Sequence, residues 1–218
     1  ASAPEEKSLA EAVSDFPAVD LPKGVDPAQF GAFVHAVLER RDDLGETLDA
    51  SIARVVQRYD FGKHVSVVTD ITRQRIAGAC AAGLAGASTG AQSELPFAVR
   101  TGPVLLHGVI DRLDMLKDGA LVTDYKLGLP HASHHFQVAV YAWAAERVLG
   151  TDNVRARVVY LGHDPIRVDD VDTDSARVTA LVEAMGSSFA SDQFEAKPGA
   201  VCATCEHRTH CVFAAAAG

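Results

Sequence analysis

Between residues 94 and 126 the hydrophobic period of the chain changes, and that change restricts the possible folds more than any other feature. Residues 94–100 (ELPFAVR), 104–115 (VLLHGVIDRLDM) and 119–126 (GALVTDYK) each carry a strand pattern. The connections are two short turns, Thr101-Gly102-Pro103 and Lys117-Asp118-Gly119. Links this short can join antiparallel strands but not parallel ones, which need a crossover. On both sides the pattern is helical. Phe30, Phe33, Val34, Val37 and Leu38 recur on one face of a helix over 27–41, and helices are predicted over 46–59, 69–85, 133–149 and 173–189. Residues 154–162 alternate like one further strand. Helices flanking a short mixed sheet predict a single α/β domain.

Composition fits that reading. The chain has 218 residues, 48% of them hydrophobic, which is enough for one substantial core. No apolar run approaches a membrane span. The first 20 residues carry Glu5, Glu6, Glu11, Asp15 and Asp20 against Lys7 and no apolar stretch of signal-peptide type, so a cytoplasmic protein is expected. Pro4, Pro17, Pro22 and Gly24 mark residues 1–25 as an acidic linker. The chain begins at Ala1, as expected for a piece cut from a longer protein.

The formal net charge of −9 argues against a protein that holds nucleic acid by charge alone. Part of the acidity is local, in the first segment and in Asp169, Asp170, Asp172 and Asp174. The run Asp170-Val-Asp172-Thr-Asp174 imitates the start of a calcium loop. Ser175 stands where glycine is required and Leu181 where the closing glutamate belongs, so a solvated acidic loop is expected. Neither GxxxxGK[ST] nor GxGxxG occurs, and no nucleotide-hydrolysing motor is indicated.

The chemistry concentrates in the strand region. Asp111 ends the approach Val109-Ile110, and Asp124 follows Leu121 and Val122 on the next strand. A tight turn between the two strands lets both carboxylates meet at one edge. Lys126 lies two residues beyond Asp124 and shares its strand face. Two acids and a lysine on one face suit phosphodiester hydrolysis. Carboxylates hold Mg²⁺ or Mn²⁺, and the lysine orients the nucleophile or offsets developing charge. Taken singly, an Asp-Xaa-Lys triplet is common and a strand-end aspartate usually caps a turn.

Further motifs accompany that triplet. Gly31-Ala-Phe-Val-His35-Ala-Val-Leu-Glu39 has the pattern G-x-x-x-H-x-x-x-E, with His35 and Glu39 on one helical face. Glu94 opens a strand, Gly108-Val-Ile-Asp111 reads G-x-I-D, Thr123-Asp124-Tyr125-Lys126-Leu-Gly128 centres on D-Y-K, and Gln137-Val-Ala-Val-Tyr141 reads Q-x-x-x-Y. In this order, over residues 28–145, the set resembles the RecB-like branch of the PD-(D/E)XK nucleases. The resemblance implies a restriction-endonuclease-like core over 26–200 that acts on DNA. It implies His35, Asp111, Asp124 and the Tyr125 carbonyl as metal ligands and Lys126 as the catalytic lysine. Glu94 becomes an outer ligand or water-holding acid, and Gln137 and Tyr141 line the DNA path. His131, His134 and His135, between Lys126 and Gln137, are either phosphate contacts or an exposed polar loop.

Three of the four cysteines lie in residues 201–218, as Cys202-x2-Cys205-x5-Cys211. In a chain without a secretory signal this density favours a metal centre over disulfides. Following Phe194 and Pro198, the spacing resembles the 4Fe–4S ending of AddB-type helicase–nucleases and CRISPR-associated RecB-like exonucleases. Those families place a fourth cysteine before the histidine helix, and residues 1–34 here contain none. Cys80, a cysteine outside this sequence, or a zinc site completed by His207 or His210 are the alternatives, with iron–sulfur preferred over zinc.

The expected function is therefore a metal-dependent deoxyribonuclease, more exonuclease than endonuclease. Single-stranded DNA or DNA ends are the expected substrate, with a helicase domain or partner subunit to deliver it. A non-catalytic DNA-binding or structural module, and an interaction domain resting on the cysteine segment alone, are the competing readings.

Overall fold

A computed structural model of the chain describes residues 19–88 and 90–191, together with residues 196, 198, 199, 202, 205 and 207–213. Most of the acidic linker and much of the cysteine segment lie outside the described residues.

The chain opens with helix α1 (Pro27–Leu44), capped by Asp26, whose carboxylate accepts from the N–H groups of Ala28 and Gln29. Pro27 occupies the first turn, where its missing N–H costs nothing, and Gly45 at φ 64° ends the helix. Helix α2 (Leu48–Val55) is capped by Thr47. It is shorter than the expected 46–59 because two 3-10 turns, Val56–Arg58 and Gly62–His64, follow it. These turns bring Tyr59 and Phe61 edge-on to Phe33, at ring centroids of 5.5 and 5.3 Å. Helix α3 (Val65–Ala81) begins directly after them.

Strands β1 (Ala91–Thr101), β2 (Val104–Leu116) and β3 (Gly119–Lys126) form the antiparallel meander expected from the two turns. Helix α4 (Ala132–Leu149) then crosses over to β4 (Val154–Tyr160), which pairs parallel to β3. A long helical crossover is what a parallel neighbour demands. An additional strand, β5 (Arg167–Val171), pairs antiparallel to β4 and is followed by α5 (Ser175–Ser191). Asp170, assigned from its neighbours to an acidic loop, instead stands opposite Arg157 in that ladder.

The sheet runs in the order β1-β2-β3-β4-β5 and is covered on both faces. One core joins Ile110, Val122, Ala156 and Val158 to Val138, Ala142 and Trp143 of α4 and Val178 and Val182 of α5. The other joins Tyr125, Val159 and Leu161 to Phe30, Phe33, Val34 and Val37 of α1, Ile52 of α2 and Val68 and Ile76 of α3. This is a single α/β domain with a mixed sheet flanked by helices.

One feature of the sheet creates the site. The β2–β3 ladder runs from Leu116↔Gly119 to Arg112↔Thr123, and Asp111 and Asp124 are the next residues beyond it. From there β2 continues with β1 alone, while β3 continues with β4 as far as Lys126↔Tyr160. The two aspartates stand where the strands part.

Candidate active site

Helix α1 lies across the strands at this parting and contributes His35. Its Nε2 is 3.0 Å from the carbonyl oxygen of Tyr125, so this edge of the ring donates to the backbone of β3. Nδ1 faces the other way, 3.6 Å from both Glu94 Oε1 and Asp111 Oδ2. Asp111 Oδ2 also accepts the Tyr125 N–H at 2.9 Å. One peptide unit thus positions the histidine and the aspartate together.

Glu94 faces Asp111 from β1, at the position bracketed by Ser93↔Arg112 and Leu95↔Ile110. Its φ is 48°, the left-handed region that side chains other than glycine, asparagine and aspartate seldom adopt. Asp43 on α1 accepts the N–H of neighbouring Ser93 at 3.1 Å and pins the strand there. Strain of this kind collects at sites where geometry matters more than stability.

Asp124 is fully buried. Lys126 Nζ donates to its Oδ1 at 2.9 Å and lies as close to Oδ2, which is buried and makes no hydrogen bond. Burial first, and the charge of Asp111 second, push the Asp124 carboxyl up to about 6 against the pull of Lys126 and His35. Burial also raises Asp111, although His35, the Tyr125 N–H and Lys126 oppose it. For His35 burial acts downward, but Glu94, Asp111 and Asp124 outweigh it and hold the imidazole above its ordinary value. All three shifts have one physical origin: a dry cluster of acids short of positive charge.

The donor set fits a hard cation. Ligand atoms of His35, Glu94 and Asp111 all lie within 4.8 Å of one another. That spread is spannable by one ion with bonds of roughly 2.0–2.6 Å. Two carboxylates with one imidazole suit Mg²⁺ or Mn²⁺ better than a thiophilic metal. Oδ2 of Asp124, held by the Lys126 ammonium and making no hydrogen bond, is a further oxygen that a cation would engage.

Beneath the site Arg112 is nearly fully buried. It meets Asp42 of α1 and makes a bidentate pair with Asp114 at 2.7 and 2.6 Å. This network fixes the angle at which α1 presents His35. Sequence patterning gave no sign of it, because a charged residue amid a strand reads as exposed. Glycine at 108 has a steric reason: a Cβ there would lie 2.8 Å from the Phe97 ring. Phe97 in turn packs edge-on to Tyr141 at 5.8 Å. Gln137 Nε2 donates to the Tyr141 hydroxyl at 2.8 Å. Burial raises Tyr141, Gln137 lowers it, and the fields of Asp111, Asp124 and Glu94 raise it again, so this part of α4 overlooks the acids.

The cysteines lie apart from this cluster. Cys80 is half-buried on α3, Cys202 is half-buried, and Cys205 and Cys211 are exposed. Among the described residues no cysteine belongs to a group of three or more potential metal ligands. His207 and His210 are exposed.

Comparison with known proteins bears on this geometry. The model of the PD-(D/E)XK nuclease superfamily matches residues 9–212. The chain belongs to the PD-(D/E)XK nuclease superfamily. Among curated proteins none matches it significantly. Two solved structures are similar to it. One, from Eubacterium rectale and described as a "Putative exonuclease", has a TM-score of 0.53 and 10% identity over 88% of this chain and 76% of that one. The other, SSO0001, has a TM-score of 0.42 and 17% identity over 83% and 84% of the two chains. At 10% identity the likeness to the Eubacterium rectale protein is one of fold. Among the described residues no helix is long and apolar enough to cross a membrane.

Proposed function

We propose that this PD-(D/E)XK domain is a Mg²⁺- or Mn²⁺-dependent deoxyribonuclease of the RecB-like type, working as an exonuclease on single-stranded DNA or DNA ends. The observation that carries this reading is the convergence of His35, Glu94 and Asp111 beside the Asp124–Lys126 pair where β2 and β3 part.

The cation, once held, supplies Lewis acidity and offsets charge on the phosphate. His35, Glu94 and Asp111 would hold it, with Asp124 completing the oxygen set. Donation from His35 Nε2 to the Tyr125 carbonyl fixes the ring and leaves Nδ1 as the acceptor facing the acids. Lys126 carries three donors, of which Asp124 engages one. The others can reach a phosphate oxygen or the attacking water, where a positive charge counts most as negative charge develops. The hydrolysis forms one P–O bond to water and breaks one to a sugar oxygen, which leaves protonated.

The net charge of −9 opposes unaided capture of DNA, so a helicase domain or partner subunit, in a cytoplasmic recombination, repair or defence enzyme, would deliver the strand. Residues 26–200 would form the nuclease core. Residues 201–218 would hold a 4Fe–4S cluster through Cys202, Cys205 and Cys211, with zinc as the alternative metal. Incubation with linear and with circular single-stranded DNA in Mn²⁺ tests the preference for ends. The proposal expects mononucleotides or short fragments from the linear form and an intact circle. Rapid loss of the circle would make the enzyme an endonuclease.

A further inference from the structure

The first turn of α4 carries three histidines, and they divide into two kinds. His135 Nε2 lies 3.1 Å from Asp169, a carboxylate that also receives Arg167 in bidentate fashion at 2.7 and 2.9 Å. That group is internally neutralised. Among the described residues, neither His131 nor His134 makes an ion pair.

The hydrogen bonds around His131 fix its tautomer. His131 Nδ1 receives the Ser133 N–H at 3.2 Å and lies 2.7 Å from the Ser133 hydroxyl. Its Nδ1 is therefore an acceptor, and the ring proton resides on Nε2. Behind the His134 ring stands the fully buried Tyr160, whose hydroxyl is 3.4 Å from His134 Nδ1. A Tyr160 hydroxyl that donates to Nδ1 sets the same Nε2–H tautomer on His134. Both imidazoles are engaged through Nδ1, and among the described residues neither Nε2 makes a hydrogen bond. Their ring centroids are 6.0 Å apart, and that of His134 is 5.8 Å from the Tyr160 ring.

The place of this pair decides what it would bind. Tyr160 is the register partner of Lys126 across the parallel β3–β4 ladder, so the two residues occupy adjacent strands about 4.8 Å apart, on the same face. His134, Gln137 and Tyr141 follow at i, i+3 and i+7 on one side of α4. The histidines thus extend a polar row that begins over the acids and passes Lys126.

We propose that His131 and His134, backed by Tyr160, form a phosphodiester-binding subsite that holds the backbone phosphate adjacent to the scissile one. A phosphodiester oxygen is an acceptor only, and it meets two positioned donors with no carboxylate competing for them. Burial first, with the Lys126 ammonium nearby, lowers His134, which favours the neutral ring that donates through one nitrogen. The assignment of the subsite to the nuclease reaction rests on the function proposed above.

The test is equilibrium binding of a dye-labelled single-stranded oligonucleotide in Ca²⁺, with cleavage in Mn²⁺ measured separately. Single methylphosphonate linkages, which remove one backbone charge, are walked along the strand. Wild type should lose binding roughly tenfold at the linkage held by the histidines, the scale of a hydrogen bond to a charged group. His131→Ala and His134→Ala should each weaken binding of the unmodified strand by a similar factor, with KM raised more than kcat is lowered. Each should also reduce the penalty at that one linkage, and the double variant should erase it. His134→Gln, which keeps an N–H donor, should recover most of the binding. Alanine variants that bind as wild type does, or that keep the full penalty at every linkage, overturn the subsite, as does failure of wild type to bind the strand. If wild type binds but does not cleave, the nuclease reading fails, and the subsite still stands or falls on the binding series.

Discussion

Glu94 faces Asp111 at the position that the β1–β2 ladder skips, between Ser93↔Arg112 and Leu95↔Ile110, and the chain holds it there at φ 48°. The left-handed backbone turns the carboxylate toward His35, at a cost that any residue with a Cβ bears. Replacing Glu94 therefore separates its two contributions. Glu94→Ala keeps the strain and loses the carboxylate, whereas Glu94→Gly loses both. The glycine variant should be more stable than the alanine variant by about 1 kcal/mol in denaturant unfolding. Both should bind Mn²⁺ at least roughly tenfold more weakly by calorimetry. Equal stability of the two variants would mean that the backbone at 94 is unstrained, and unchanged Mn²⁺ affinity would remove Glu94 from the site.

Arg112 tests how the helix is held. It is buried with Asp42 on α1 and Asp114 on its own strand. Desolvation and the paired charges act in opposite directions on Asp42, and desolvation prevails, so its carboxyl is raised in spite of the arginine. Asp114 is lowered, because Arg112 and Ser88 outweigh burial there. Removing the guanidinium would leave Asp114 without its bidentate partner and Asp42 with Arg41 alone, 3.5 Å away. Arg112→Ala should cost about 3–5 kcal/mol of stability by chemical denaturation. Arg112→Met combined with Arg41→Met, Asp42→Leu and Asp114→Leu should recover much of that loss, because replacing the whole network, Arg41 included, leaves no uncompensated charge. A single variant as stable as wild type would show that the network does not hold α1.

The cysteine segment makes a separate prediction. Cys202, Cys205 and Cys211 are close in sequence, and a metal that gathers them would close the chain end and stabilise the fold by restricting the unfolded state. Protein purified without oxygen should be brown, with absorbance near roughly 400 nm from thiolate-to-iron charge transfer. Stoichiometric zinc in a colourless protein would replace iron–sulfur as the cofactor. Absence of either metal would leave the segment without a metal role. Cys80→Ser distinguishes the fourth ligand: loss of the metal on this change assigns Cys80, and retention excludes it.

The parts of the fold legible in sequence were those with a clean hydrophobic period. The meander from Ala91 to Lys126 followed from two turns that permit only antiparallel links, and α1 and α4 from apolar residues at helical spacing. Strand β5 was not legible, because Arg167-Val-Asp-Asp-Val171 holds two apolar residues and its charges are satisfied only in three dimensions, by Arg167 and His135 on Asp169. The ends of α2 and α3 shifted because the aromatic packing of Tyr59 and Phe61 against Phe33 decides where the helix breaks. At the site, motifs pointed to residue types, whereas the arrangement depends on backbone. The strain at Glu94, the Tyr125 peptide that engages both His35 and Asp111, and the Tyr160 hydroxyl behind the histidines have no local signature.

On the proposed function, Asp124 and Lys126 act with the His35–Glu94–Asp111 cluster as a metal-dependent nuclease site. The most direct test is cleavage of end-labelled single-stranded DNA by wild type, Asp124→Ala and Lys126→Ala in Mn²⁺, each with and without chelator, on proteins whose folding is verified by circular dichroism. Wild type should cleave only without chelator, and both variants should fall by roughly 10²-fold or more, the scale of losing one group that stabilises the transition state. Cleavage by a well-folded Asp124→Ala protein at the wild-type rate, or wild-type cleavage that chelator leaves untouched, would overturn the assignment of the site.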